Sequence, residues 1–321
     1  MEVAQGIFQI QLPLPFPLKI VHAYALRDGD SWTVVDTGLN YPPAQAAWER
    51  AFTEYAIDPK RIQRIVLTHA HPDHYGMAGW LAALSGAPVL LSPVERSFVR
   101  ATWLAAGAEQ HAIANMFRRF GVPNELLAVV DEDIAALRLM VQPPPETMVD
   151  LVAGTDLVIG SRCFRTISVP GHSDGQLALY CPEDRLLLCG DSVLMKITPN
   201  IGLWPWGDSN PLATYLATLG RLAELWVDRA LPGHGPIITT FYQRLQELKD
   251  HHQERLLATE QAAGAGTDAF TICQRIFPTE QLTSHQLRFA MAETLAHLEY
   301  LVEKGRLVRW QEHTVIRYGK S

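Results

Sequence analysis

Four times in this chain a run of apolar residues stops at a sharp turn carrying histidine or aspartate: RIVLTHAHPDH, ISVPGHSDG, RLLLCGDS and RALPGHG. Short runs rich in leucine and β-branched residues are strand-like. Ionisable groups at the ends of buried strands would be desolvated without compensation unless a cation or a dense hydrogen-bond network collects them. The four strand ends must therefore converge. Glycine beside His172, Asp191 and His234 allows the tight turns and close approach that convergence needs. The expected fold is layered, with sheets presenting their ends to one shared site.

The densest of these segments is Thr68-His69-Ala70-His71-Pro72-Asp73-His74, in which four metal-ligand types fall within six positions. In an extended turn His69 and His71 point the same way while Asp73 and His74 can turn to a second point, so one loop can serve two adjacent ions. His172, Asp191 and His234 are each weak alone, since a Gly-His or Gly-Asp pair is often only a turn. The remaining histidines, His22, His111, His251, His252, His285, His297 and His313, lack a ligand-like setting and are read as structural or solvent-exposed.

The order of segments supplies the layers. GIFQIQLPLPF, VHAYALRDG and SWTVVDTG read as a β-meander, PPAQAAWERAFTEYA as a helix, and RIVLTHA as the next strand. Residues 75–86 read as a helix ended by Gly86, with a strand at PVLLS. A helical insertion spans about 93–142 and closes at Pro143-Pro144-Pro145. A second strand-rich block, DLVIG, RCFRTISVP, GQLALYCP and DRLLLCGD, mirrors the first, and helices at 211–226 and about 238–263 flank the strand VDRALPG. AAGAGTDAF reads as a flexible linker. The expected domains are a catalytic domain at 1–263 and a C-terminal module at 264–321, two helices and a hairpin in a winged-helix-like order.

Composition narrows the function classes. The 321 residues carry 27 Lys and Arg against 34 Asp and Glu, a net charge of −7, and a phosphate-binding chain normally leans basic. Between 264 and 321 seven basic residues meet six acidic ones, so that module is nearly neutral. Its LAHLEYL stripe suits packing on the main domain or a homodimer interface. No apolar run approaches the ~20 residues of a membrane span, and residues 1–20 lack a signal-peptide pattern, so a soluble, cytoplasmic protein is expected. Cys163, Cys181, Cys189 and Cys273, without a CxxC pair, read as reduced core thiols.

HAHPDH, GHSDG, CGDS and PGHG, preceded by VVDTG, together resemble the five ordered motifs of the metallo-β-lactamase-fold superfamily, over residues 1 to about 240. The resemblance implies an α/β fold, a four-layer αββα sandwich. It also implies two divalent metal ions, zinc first, with iron or manganese as alternatives. One ion would sit on His69, His71 and His172, the other on Asp73, His74 and His234, with Asp191 bridging. Aspartate at the bridging position differs from the β-lactamases that name the superfamily and is closer to the glyoxalase II-like thioesterases. The C-terminal module resembles that of the lactamase-β-like branch. The family places Asp36 of VVDTG near the histidine loop, in a position to accept the distal N–H of a ligand histidine and fix its tautomer.

Two such ions can share one water and lower its pKa to about 7, so Asp73, Asp191 and Asp36 are the candidate catalytic carboxylates and no Ser or Cys nucleophile is needed. Substrate contacts are sought in Tyr75, which follows the ligand loop, and in Trp204 and Trp206 of TPNIGLWPWGDSN. Trp103, Met116, Phe117 and Phe120 of the insertion read first as core and second as an apolar wall. The leading expectation is hydrolysis of a small ester or thioester by activated hydroxide. The alternatives are RNA or phosphodiester hydrolysis, and a mononuclear iron oxygenase of sulfur compounds or a non-catalytic metal-holding effector.

Overall fold

The computed structural model describes residues 1–320, and the chain divides into two compact units. The first comprises Met1–Trp103, Leu137–Pro199 and Glu224–Tyr242. Among the described residues it contains a seven-stranded sheet in the order β1 (Glu2–Ala4), β2 (Ile7–Pro13), β3 (Ile20–Asp28), β4 (Ser31–Val35), β5 (Ile62–Val66), β6 (Val89–Leu91), β7 (Met148–Asp150). The first four strands form the antiparallel meander; β4 to β7 run parallel. Helices α1 (Pro42–Glu54), α2 (Pro72–Tyr75), α3 (Ala78–Ser85) and α4 (Pro93–Thr102) fill the connections. As expected, Gly86 ends α3, in a left-handed conformation at φ 82°.

The second sheet of this unit runs β12 (Arg229–Pro232), β11 (Leu186–Gly190), β10 (Leu177–Cys181), β9 (Arg162–Ser168), β8 (Asp156–Ile159). All its pairs are antiparallel except β11 with β12. Strands apolar on both faces need two cores. Leu26, Val35 and Val66 of the first sheet pack with Phe164, Leu179, Leu188 and Leu231 of the second, while Val34, Ile65 and Val89 face a core shared with Trp48, Leu81 and Val99 of the helices. The layers of this unit are thus helix, sheet, sheet. Cys181, Cys189 and Cys273 are buried, Cys163 is half-buried, and all four are free thiols.

Register decides what meets at the strand ends. Pairing of Val35 with Val66 places Asp36 beside Leu67 and Thr68, and pairing of Gly190 with Pro232 places Asp191 beside Gly233 and His234. Two backbone hydrogen bonds then stitch the sheets together at that edge, Leu177 N to Thr68 O at 2.9 Å and His22 N to Gly233 O at 2.7 Å.

The second unit comprises Leu104–Ala136, Asn200–Ala223 and the chain from Gln243 onward. Its elements are α5 (Ala112–Arg119), α6 (Asn124–Leu139) up to Ala136, α7 (Pro211–Leu222), α8 (Phe241–Ala263) from Gln243 on, β13 (Ala265–Asp268), α9 (Ala269–Ile276), α10 (Ser284–Glu303), β14 (Leu307–Glu312) and β15 (Val315–Lys320). The expected linker is here a strand: β13 pairs with β15, and Asp268, instead of lying in a flexible stretch, caps α9 by accepting from Thr271 N at 2.8 Å. Small residues there serve pairing and a helix start. Leu295, Leu298 and Leu301 of the LAHLEYL stripe are fully buried within the chain itself. Among the described residues no helix is long and apolar enough to cross a membrane.

Candidate metal centre

His69 and His71 follow β5 directly, and Pro72 opens the one-turn helix α2 that carries Asp73 and His74. His172 lies between β9 and β10, Asp191 follows β11 and His234 follows β12. The structure brings all seven together. Donor atoms of His69, His71 and His172 lie within 4.8 Å of one another, as do those of Asp73, His74 and His234, and those of His69, His74 and Asp191. Asp191 is central: its Oδ1 is 3.4 Å from His74 Nε2, and its Oδ2 is 3.4 Å from His234 Nε2 and 3.6 Å from His172 Nε2. Asp73 Oδ2 is 3.1 Å from His234 Nε2, and His71 Nδ1 faces His172 Nε2 at 2.9 Å.

The rings are aimed from behind. Asp36, at a left-handed φ of 60°, takes Thr68 N–H at 2.8 Å and the Thr68 hydroxyl on one side, and its Oδ2 lies 2.8 Å from His74 Nδ1. A buried carboxylate at that distance makes His74 Nδ1 the protonated nitrogen and turns the lone pair of Nε2 inward. His234 Nδ1 donates in the same way to Ile20 O at 2.7 Å. Gly233 is obligatory, since a Cβ there would stand 2.3 Å from Asp191 Oδ1 and 2.6 Å from His74 Cε1.

Buried His69 Nε2, His74 Nε2 and Asp191 Oδ1 have no hydrogen-bond partner among the described residues. Orphaned nitrogen and carboxylate oxygen of these types fit a divalent cation. The electrostatics agree. Burial depresses His69 and His71 well below the ordinary histidine value, which keeps them neutral and able to ligate. Burial also opposes charge on His74 and His234, yet neighbouring carboxylates, Asp191 first, overcome it and lift His74 well above the usual range and His234 to about 10. Asp73 and Asp191 are held far below the usual carboxylate range despite burial, by the cationic His74 and His234. A divalent cation bound here would compete with protons for these donors, so its affinity would rise with pH.

The candidate substrate residues fall in different surroundings. Tyr75 is 1% exposed and belongs to the core between helices and first sheet. Trp204 and Trp206 lie in the second unit, where Trp204 is half-buried, edge-on to Phe289 and near the Arg288 guanidinium. Trp103, Phe117 and Phe120 are core residues, as first read. Trp103 also gives its indole N–H to Ala70 O at 2.7 Å.

One residue beside the centre escaped the sequence. Glu95, in the first turn of α4, accepts hydrogen bonds from Ala70 N at 2.8 Å, Ser173 Oγ at 2.5 Å and Gly175 N at 2.9 Å. The only available signal was Ser92-Pro93-Val94-Glu95, which has the spacing of a helix capping box and so reads as a surface cap. Ser92 does cap α4, at 3.2 Å from Glu95 N, but the Glu95 carboxylate reaches elsewhere.

Mixed sheets flanked by helices, with histidine and aspartate donors at the strand ends, define a metal-dependent hydrolase of α/β architecture. The chain belongs to the metallo-beta-lactamase superfamily: residues 17–234 match that family, and residues 256–321 match the metallo-beta-lactamase-like C-terminal domain. The crystal structure of a metallo-beta-lactamase family protein from Thermus thermophilus superposes with a TM-score of 0.90 at 35% identity, covering all of both chains. A probable metallo-hydrolase of Bacillus subtilis is 25% identical over 97% of each chain. An acyl-coenzyme A thioesterase of Homo sapiens is 24% identical over 73% of this chain and 79% of its own.

Proposed function

We propose that the protein is a two-metal hydrolase of small esters or thioesters. The observation that carries this reading is the pair of donor groups, His69–His71–His172 and Asp73–His74–His234, with Asp191 within 3.6 Å of nitrogens in both. One ion would be held by each group and Asp191 would bridge them. Zinc is the first candidate and iron or manganese the alternatives, because His and Asp donors suit all three.

Bound ions of this kind lower the pKa of water from 15.7 to about 7 and polarise a carbonyl oxygen. The chain supplies the rest. Asp73 and Asp191 balance the ionic charge at the reacting centre, and Asp36 positions His74 and, through Thr68, the loop that begins at His69. The thioesterase name of the human relative supports an acyl substrate, as does the net charge of −7, which disfavours a polyanionic one. The division into a catalytic domain at 1–263 and a winged-helix-like module at 264–321 belongs to this proposal, as does a cytoplasmic location. The α8-β13-α9-α10-β14-β15 order supports the module.

The test is a hydrolysis screen over thioesters, esters, lactones, phosphodiesters and RNA, on protein of measured metal content. Thioester or ester turnover that is abolished in Asp191→Ala, together with reduced bound metal, is expected. Cleavage confined to RNA or phosphodiesters would replace the acyl reading. Full metal occupancy and full activity in Asp191→Ala would remove Asp191 from the site.

A further inference from the structure

Glu95 is a carboxylate at 1% exposure that forms no ion pair among the described residues. Burying such a group is costly unless its oxygens are fully engaged, and both are: Oε2 by Ala70 N, Oε1 by Ser173 Oγ and Gly175 N. The positions of these partners are selective. Ala70 stands between His69 and His71, and Ser173 and Gly175 follow His172 in its turn. One carboxylate therefore ties together the two loops that deliver one donor group, and among the described residues its hydrogen bonds go to neither Asp73, His74 nor His234.

The rest of α4 acts on the same group. Trp103, at its C-terminal end, binds Ala70 O, so both backbone polar groups of Ala70 are held from a single helix. Phe98, three residues after Glu95 and on the same helical face, stands edge-on to the His71 ring at 6.0 Å and to Trp103 at 5.9 Å. The His172 loop is pressed against the start of α4 so closely that a Cβ on Gly175 would meet Ser92 Oγ at 2.4 Å and Val94 Cβ at 2.7 Å.

We propose that Glu95, braced by α4, is a positioning residue for the His69–His71–His172 ion alone, so that its loss weakens one of two metal sites and spares the other. This rests on the two-metal reading above. In Glu95→Gln the amide offers a donor where one of the two loops needs an acceptor. In Trp103→Phe a ring is kept while the second tie to Ala70 is lost.

The experiment is zinc titration of the full chain by calorimetry and metal analysis, with histidine nitrogen NMR to show which rings respond. Wild type should bind two ions. In Glu95→Gln one equivalent should weaken by about 10- to 100-fold. The missing response should fall on His69, His71 and His172, while His74 and His234 respond as in wild type. Trp103→Phe should shift the same equivalent more mildly, and it serves as the test if Glu95→Gln does not fold. Equal weakening of both equivalents, or of neither, overturns the role of Glu95 and leaves the two-metal reading standing. A wild type that binds a single ion overturns both.

Discussion

Asp36 shows how a residue outside the donor set governs it. Its left-handed backbone carries a strain of order 1–3 kcal/mol, and the conformation points one carboxylate at both Thr68 and His74. Asp36→Asn keeps the shape but leaves His74 Nδ1 facing an amide that can present a donor. The expected outcome is zinc affinity lower by about 10- to 100-fold with unfolding little changed, read by chelator competition and thermal denaturation. The sequence exposed this layer unevenly. Four donors were legible because no ordinary core packs four ionisable groups into Thr68–His74, and His172, Asp191 and His234 joined them through the order of the strand-end motifs, whereas Glu95 was hidden inside a pattern that also makes a helix cap. The burial of Tyr75 was not legible, because adjacency in sequence says nothing of which side of a short helix a ring takes.

At the scale of elements, the centre depends on strand register. β5 and β4 deliver the histidine loop and Asp36 side by side, and β11 and β12 deliver Asp191 and His234. Gly233 lets the last two strands close to contact distance. Gly233→Ala should drive Asp191 and His74 apart, so that bound metal falls sharply in elemental analysis while circular dichroism still shows a folded chain. Retained metal would mean that the loop relaxes around the new Cβ. The core of β11 is tested separately: Leu188→Ala opens a cavity between the sheets and should cost about 2–5 kcal/mol in chemical denaturation. Apolar runs with turn residues made these strands readable. β13 was not, because Ala265–Asp268 offers a single β-branched residue, Thr267, among Ala, Gly and Asp, and becomes a strand by pairing with β15. β7 is three residues long and follows a proline run, leaving no periodicity to read.

Across the whole molecule, buried histidines outside the centre set the response to acid. His22 is depressed to about 4 by burial, despite its contact with Pro232 O, and His297 to about 4 by burial despite its bond to Glu293 O. An unfolded histidine titrates near 6.5, so between that value and 4 the unfolded chain binds protons that the folded chain refuses. Stability from these groups is complete above pH ~6.5 and declines as pH falls toward 4. For His297 the loss is of order 3 kcal/mol. Denaturation at pH 7.5 and pH 4.5 should show it, and His297→Asn should reduce the difference while His22 and His252 keep their shares.

The proposed two-metal hydrolysis ties metal content to thioester turnover, and both can be measured together in the intact protein. Two divalent ions per chain are expected, with hydrolysis abolished when a chelator removes them and restored when they are returned. One ion per chain, or undiminished hydrolysis in metal-free protein, would contradict it.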